Sequence, residues 1–243
     1  MDFSDNRMNV KLVNITENPE ALISYIARVS NPENQSNPDY KKLVKYLIKN
    51  KHFSPFEHAF ITFEIKTSRA IAAQILRHRS FTFQEFSQRY SEVTEFEPIE
   101  IRKQATKNRQ SSLEVFDPEI RSGTTSTDKA SNVIMQHLIE SRRRYEFLLE
   151  AGVAKEVARF ILPATTQTTL YMSGSVRSWI HYIELRDTDH VQKEHRLIAQ
   201  EIKGIFNQYL PTVAAALLEL QKEHDDKELL YSLFKEQLPD LQK

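Results

Sequence analysis

Residues 77–90, RHRSFTFQEFSQRY, bring Arg77, His78, Arg79 and Arg89 together with Glu85 and Ser87. Guanidinium groups keep their charge at any working pH, and their forked donors match phosphate oxygens. A carboxylate and a hydroxyl suit a sugar or the edge of a base. On a helix, three consecutive residues such as Arg77, His78 and Arg79 would fan around the circumference. At a helix end or in an extended segment they could converge on one ligand. Two readings are open: a solvated charged turn, which is the usual fate of such residues, or a site for something anionic.

A second chemical oddity is Arg186. On a wheel of 100° per residue it falls about 20° from Trp179, on the apolar side formed by Val176, Ile180 and Ile183. An arginine aimed there needs a buried polar partner, unless it snorkels out at the helix end. Other candidates carry less. His52 and His58 flank FSPFE, but they have neither HExxH spacing nor a third ligand nearby, so packing or surface roles are favoured. SGSVRSW lacks the GxSxG elbow, which makes Ser175 a poor hydrolase nucleophile. Arg142, Arg143 and Arg144 sit mid-helix opposite an apolar stripe and read as a solvated face.

The elements that must position these residues can be read from periodicity. Residues 19–30 predict a helix with Leu22, Ile26 and Val29 on one face, and residues 39–49 a second. In 59–66, Ile61, Phe63 and Ile65 alternate with Thr62, Glu64 and Lys66, which predicts a strand with one buried face. Ser68 can then cap a helix in which Ile71 pairs with Ile75 and Ala72 with Leu76. Residues 104–131 lack periodicity and are rich in Ser, Thr, Asn and Gln, which predicts a loop excursion. A long helix with Ile134, Leu138, Tyr145 and Leu148 on one stripe should end at Gly152. VAKEVARFIL is a short helix stopped by Pro163, TTQTTLYM is β-prone, and SVRSWIHYIELR is helical. Residues 190–221 predict two helices separated at Pro211. No repeat or linker divides the 243 residues, so the expected fold is a single α+β domain with a mixed or antiparallel sheet flanked by helices.

Composition excludes several classes. Lys+Arg and Asp+Glu both number 33, so overall charge gives no bulk attraction to nucleic acid or membrane. There are no cysteines, hence no disulfide, no thiolate metal site and no cysteine nucleophile. The absence of cysteine is compatible with a reducing cytoplasm, the expected location. The start, MDFSDNRMNVKLVN, shows no secretory pattern, and no apolar run approaches the roughly 18–20 residues that span a bilayer. With four glycines and neither GxGxxG nor GxxxxGK, any dinucleotide must be held without a Rossmann turn or P-loop.

Taken together, these residues resemble the flavin-dependent thymidylate synthases. The signature of that family, RHR followed by seven residues and a serine, stands here as Arg77-His78-Arg79 and Ser87. ARVS (27–30), HFSPFEHAFITF (52–63), EVARFILP (156–163) and GSVRSWIHYIELR (174–186) resemble its other blocks in the same order. Ser54 replaces a frequent threonine and keeps the hydroxyl. Gln84 replaces a frequent asparagine and keeps the amide.

The resemblance implies a non-Rossmann fold and a reaction. Reduced FAD delivers hydride to the uracil ring of dUMP, 5,10-methylenetetrahydrofolate supplies one carbon to C5 to give dTMP, and NADPH re-reduces the flavin. It implies FAD contacts at Ser54, Arg77, His78, Arg79, Glu85, Ser175, Val176, Arg177 and His181. It implies dUMP contacts at Gln74, Ile75, Leu76, Arg77, Glu85, Phe86, Ser87, Gln88, Arg89, Arg159 and Arg186. Arg89 and Arg159 suit the phosphate. Arg186 suits the uracil edge, where it would stabilise a developing anion as the catalytic residue. Ser87 reads as a ligand contact, because no base for it is evident. The family also implies a homotetramer with shared active sites. Classical thymidylate synthases attack C6 with a cysteine, a route closed to this chain. Two rivals are a single-strand nucleic-acid module stacking bases on Phe81, Phe83, Phe86 and Tyr90, which the neutral charge disfavours, and an inactive nucleotide sensor.

Overall fold

The alternation read over 59–66 produces the central strand it predicts, which runs from Phe60 to Ser68. The structure is a computed structural model that describes residues 8–93, 95–121 and 127–237. The chain runs β1 (Asn9–Ile15), α1 (Pro19–Ala27), α2 (Lys41–Lys49), β2 (Phe60–Ser68), α3 (Arg69–Ile75), β3 (Thr82–Glu85), β4 (Arg102–Gln104), β5 (Ser112–Val115), β6 (Glu119–Arg121) and β7 (Thr127–Lys129). It continues through α4 (Ala130–Glu150), α5 (Lys155–Ala158), β8 (Gln167–Ser175), α6 (Val176–Arg186), α7 (Lys193–Tyr209) and α8 (Pro211–Gln237). The main sheet is antiparallel throughout, in the order β1-β2-β8-β3. β1 and β3, which periodicity does not reveal, are its two edges.

β2 and β8 pair along their whole length, from Phe60 opposite Ser175 to Ser68 opposite Gln167. On one face Ile61, Phe63, Ile65, Leu170 and Met172 are buried. On the other, Thr62 donates to Ser173 Oγ at 2.9 Å and Tyr171 donates to Glu64 at 2.7 Å. Side chains from α2, α6, α7 and α8 complete the core over the apolar face. Trp179 of α6 meets Phe63 edge-on at 4.9 Å between ring centres, and its Nε1 donates to the Ile61 carbonyl at 3.0 Å. Burial of each such side chain contributes about 1.5–3 kcal/mol.

Three local expectations are corrected. In α1 the buried residues are Glu20, Ile23 and Ser24, while Val29 is exposed and lies beyond the helix. The cause is polar: Glu20 Oε1 accepts the backbone N–H groups of Thr212 (2.6 Å) and Val213 (2.9 Å), capping the start of α8. That bond rotates α1 away from the face that Leu22, Ile26 and Val29 would have chosen. Ser68 occupies the N-cap position of α3 but makes no cap bond; its hydroxyl lies 3.5 Å from Glu97 Oε1. The 104–131 excursion contains two small hairpins, β4–β5 and β6–β7, because a two-stranded ladder satisfies backbone groups without any buried stripe. Residues 122–126 of that stretch, and residues 1–7 of the segment read for a secretory signal, lie outside the described residues. Among the described residues no helix is long and apolar enough to cross a membrane.

The predicted stop at Gly152 holds. Gly152 has φ 83°, its N–H bonds the Leu149 carbonyl, and the Val153 N–H bonds that of Leu148, the paired bonds of a Schellman ending.

Gly174 matters more for the site. A Cβ there would lie 2.5 Å from the Phe81 ring. Its absence lets Phe81 lie against β8 and reach Trp179, with ring centres 4.6 Å apart. Phe81 thereby anchors the segment that carries Arg77, His78 and Arg79. Gly174→Ala should displace this ring and destabilise the protein by about 1–3 kcal/mol, the usual cost of overpacking. The urea midpoint, compared with that of the parent protein, measures the effect.

Candidate active site

Two strands lead directly into the helices that build the site. β8 ends at Ser175, the N-cap of α6, whose side chain accepts the Ser178 N–H at 3.2 Å. The Ser175 hydroxyl also donates to Glu57 Oε2, and Glu57 Oε1 accepts from Arg177 at 2.9 Å. Ser178 donates to the Ser80 carbonyl at 3.2 Å, which ties the helix start to the RHR segment. Glu57, Ser80, Arg177 and Ser178, with Phe53, Ile180, His181 and Glu184, line a cleft of about 420 Å³. A helix N-terminus, with its unpaired N–H groups and partial positive charge, suits an anionic ligand.

Of the residues assigned to flavin, Ser54, Arg77, Arg79, Arg177 and His181 are exposed. Among the described residues no acidic side chain pairs with Arg77 or Arg79. Val176 is different: its side chain is in the core, and its N–H donates to the Ala59 carbonyl at 2.8 Å. It shapes the cleft and has no polar group left to offer.

The segment after α3 answers the question that Arg186 raises. His78, buried after the last turn of α3, accepts a hydrogen bond from Arg186 Nε at 2.9 Å. The arginine therefore has its polar partner. With Nε engaged, the two terminal nitrogens remain as the free edge of the fork. The His78 ring packs edge-on against Tyr182 at 4.9 Å.

The other nucleotide candidates form separate groups. Arg89 pairs with the Glu156 carboxylate at 3.2 Å, and Arg159 Nε donates to the Glu156 carbonyl at 3.3 Å, so both arginines meet at one residue. Glu85 Oε1 accepts from Arg69 at 3.0 Å and from Thr168 at 2.9 Å. Gln88 is buried, and among the described residues its Nε2 has no acceptor. Phe86 and Ser87 are exposed, Leu76 is partly exposed, and Ile75 belongs to the core. Gln74 donates through Nε2 to Gln192 at 2.7 Å. Of the four aromatics offered for base stacking, Phe81 is in the core and Phe83 packs against it. Arg144 pairs with Glu140 and Arg142 with Glu146 along α4, as on a solvated face.

Spacing does not single out Glu57, Arg69, Glu156, Gln192 or the pair Tyr182–His195. His195 did leave a signal: the apolar stripe of α7 at Ile198, Ile202 and Phe206, continued back one turn, lands on it. A larger cavity, about 670 Å³, opens beside Glu97, Arg102 and α7. Its strongest polar groups are already paired, Arg102 with Glu100 and Glu194, and Lys193 with Glu100.

The chain matches the family model described as thymidylate synthase complementing protein over residues 11–212. It is 51% identical over 221 residues to the flavin-dependent thymidylate synthase of Synechocystis sp., covering 86% of this chain and 99% of that one. A counterpart in Thermosipho africanus, of the same description, is 32% identical over 207 residues, covering 84% of this chain and 86% of its own. In fold it is similar to the crystal structure of the UMP/dUMP methylase PolB from Streptomyces cacaoi bound with 5-Br dUMP. That match has a TM-score of 0.70 at 24% identity and covers 88% of this chain and 96% of that one. The α+β architecture and the RHR-containing segment thus place the chain in a class of nucleotide enzymes without a Rossmann turn. Within it, the chain belongs to the flavin-dependent thymidylate synthase family.

Burial, with the positive charge of Arg186 and then of His181 nearby, lowers the His78 pKa to about 4. Burial, then Arg186 and His78, lowers that of His195 to about 3. Both rings are neutral in the folded protein at pH 6.5 and protonated in the unfolded chain below it. Their contribution to stability is therefore complete above pH 6.5 and is lost as pH falls toward 4 and then 3. The urea midpoint should drop between pH 6.5 and 5, before most carboxylates titrate. In His195→Asn this drop should be smaller.

Proposed function

We propose that this protein makes dTMP from dUMP, with 5,10-methylenetetrahydrofolate as carbon donor and an FAD that NADPH reduces. The observation that carries the reading is that the segment bearing RHR is tied to both ends of α6, through Ser80 to Ser178 near its start and through His78 to Arg186 at its end. Arg77 and Arg79 are exposed without acidic partners among the described residues, and the cleft at the start of α6 carries Arg177 and His181 beside Glu57 and Glu184. Such donors fit the negatively charged diphosphate of a dinucleotide without a glycine-rich turn. Ser54, Arg77, His78, Arg79, Glu85, Ser175, Arg177 and His181 would hold it. When bound, the flavin supplies the hydride that completes the methyl group.

For dUMP, Arg89 and Arg159 would exchange their contacts with Glu156 for the phosphate. The buried, unpaired Nε2 of Gln88 would gain an acceptor. Arg186, fixed by His78 through Nε, would aim its terminal nitrogens at the uracil edge and stabilise negative charge as the ring is activated. Because its orientation is set before the ligand arrives, little reorganisation accompanies the reaction. The reaction would run in the cytoplasm.

We also propose a homotetramer with shared sites. α4 packs chiefly on α5, β7 and the turn at 159–161, and leaves Met135, Ile139 and Phe147 exposed on a helix of 21 residues. A second copy would cover this surface beside Tyr90 and Phe160, which are also exposed.

Two measurements test these readings. Arg186→Lys keeps the charge and loses the fork. Its dUMP-dependent flavin oxidation with methylenetetrahydrofolate should slow by about 100-fold or more, while NADPH-driven flavin reduction without dUMP changes far less. Equal collapse of both half-reactions would point to a structural role. Light scattering should give a mass of about 114 kDa, four times the 28.4 kDa chain. A monomer at micromolar concentration would remove the shared-site proposal.

A further inference from the structure

His195 is fully buried in α7 and belongs to none of the residue sets considered for flavin or nucleotide. Its Nε2 lies 3.0 Å from the Tyr182 hydroxyl and its Nδ1 3.3 Å from Gln74 Oε1. Gln74 Nε2 donates to Gln192 Oε1 at 2.7 Å, and Gln192 Nε2 donates to Glu194 Oε2 at 3.0 Å. Five side chains from α3, α6, α7 and the turn before α7 thus form one continuous chain of hydrogen bonds.

The chemistry of its far end gives that chain a direction. Glu194 also accepts from Arg102 at 2.6 Å, so it is an ionised carboxylate that can only accept. Gln192 must therefore turn its NH₂ to Glu194 and its carbonyl to Gln74. Gln74 must turn its NH₂ to Gln192 and its carbonyl to His195. His195 must then carry its proton on Nδ1 and accept from Tyr182 at Nε2. Burial raises the Tyr182 pKa, which keeps its hydroxyl protonated to donate. Every donor and acceptor in the chain is used in one sense, and reversing any one member would set two donors or two acceptors against each other.

We infer that His195 is a positioning residue: through its Nδ1–H it locks the Gln74 amide so that Gln74 offers the nucleotide an N–H donor. The NH₂ of Gln74 has a second hydrogen beyond the one given to Gln192. The ligand group it meets is accordingly an acceptor, a carbonyl, ribose or phosphate oxygen of the pyrimidine nucleotide. This rests on the proposed place of Gln74 at dUMP. Unlike Arg186, which acts through charge, Gln74 has two ends of opposite hydrogen-bonding sense. Its usefulness depends on which end is held back, and the His195 ring holds back the carbonyl. Tyr182 secures the ring in turn by occupying Nε2, so the tautomer cannot switch without breaking two buried bonds.

The test combines a spectroscopic and a kinetic readout on the full-length holoprotein. Long-range ¹H–¹⁵N correlation at pH 7, with His195 assigned by the signal missing from His195→Asn, should show a protonated Nδ1 and a bare Nε2. A proton on Nε2 would overturn the inference, whatever the activity. His195→Leu should raise the KM for dUMP about tenfold, the scale of one lost hydrogen bond. Its kcat and its dUMP-independent flavin reduction by NADPH should stay within about twofold. His195→Asn, whose amide N–H can take the place of Nδ1–H, should return KM to within about threefold of the parent. Equal losses in both variants, in step with a lowered Tm, would mean that His195 only packs the core, and so would an unchanged KM in His195→Leu. Failure of the parent protein to bind or turn over dUMP would sink the dTMP reading instead. The tautomer measurement would still decide whether the hydrogen-bond chain exists.

Discussion

The pairing of β2 with β8 is the constraint on which the site depends. The ladder is antiparallel and nine residues long on each strand, and each strand runs straight into a helix. β2 ends at Ser68 and opens α3; β8 ends at Ser175, at the opposite end of the ladder, and opens α6. α6 then has 11 residues, about 16 Å at 1.5 Å per residue, in which to run back over the apolar face. Its last residue, Arg186, arrives beside His78, just past α3. A slip of one residue in the ladder would turn every inward side chain outward, and would also part Arg186 from His78. Sheet register and the Arg186–His78 contact are therefore one property of this fold.

That arrangement places the two ends of α6 in different chemical roles. At the N-terminus, Ser175 caps the helix and Arg177 lines a cleft together with Glu57, His181 and Glu184. The C-terminus presents one arginine whose orientation is fixed by a neutral histidine. His78 can accept from Arg186 only while it is unprotonated, and both burial and the arginine itself keep it so. Phe81, lying on the bare backbone of Gly174 and against Trp179, holds the connecting segment on the core. Its fixed position lets a short run of charged residues serve both ends of the helix.

Several polar interactions decide what hydrophobic patterning leaves open. Glu20 turns α1 by capping α8, which overrides the helix's own apolar stripe. The His195 chain passes from Tyr182 through Gln74 to Glu194 and links the core beneath α6 to the ion-pair cluster around Arg102. In each case an acidic acceptor at one end dictates the orientation of its partners, because a carboxylate cannot donate.

From the sequence alone came the central strand, because Ile61, Phe63 and Ile65 keep period two; the ends of α4 and α7, because Gly152 and Pro211 are backbone signals; and the functional family, because RHR, Ser87 and four further blocks stand in order. The oddity of Arg186 was also legible, since helical spacing put a charge on an apolar side. What spacing could not supply were partners distant in the chain. β1 and β3 are edge strands whose identity comes from the neighbours they pair with. His78 and Arg186 are separated by 108 positions, and no local pattern joins them. Nothing in its own spacing marks Glu57, yet it holds Ser175 and Arg177 from 118 and 120 positions away. The direction of the Gln74 amide depends on the Glu194 carboxylate, reached through Gln192. Local periodicity is set by a helix or strand acting on its own residues, whereas hydrogen-bond partners are chosen by which elements the assembled fold brings within about 3 Å.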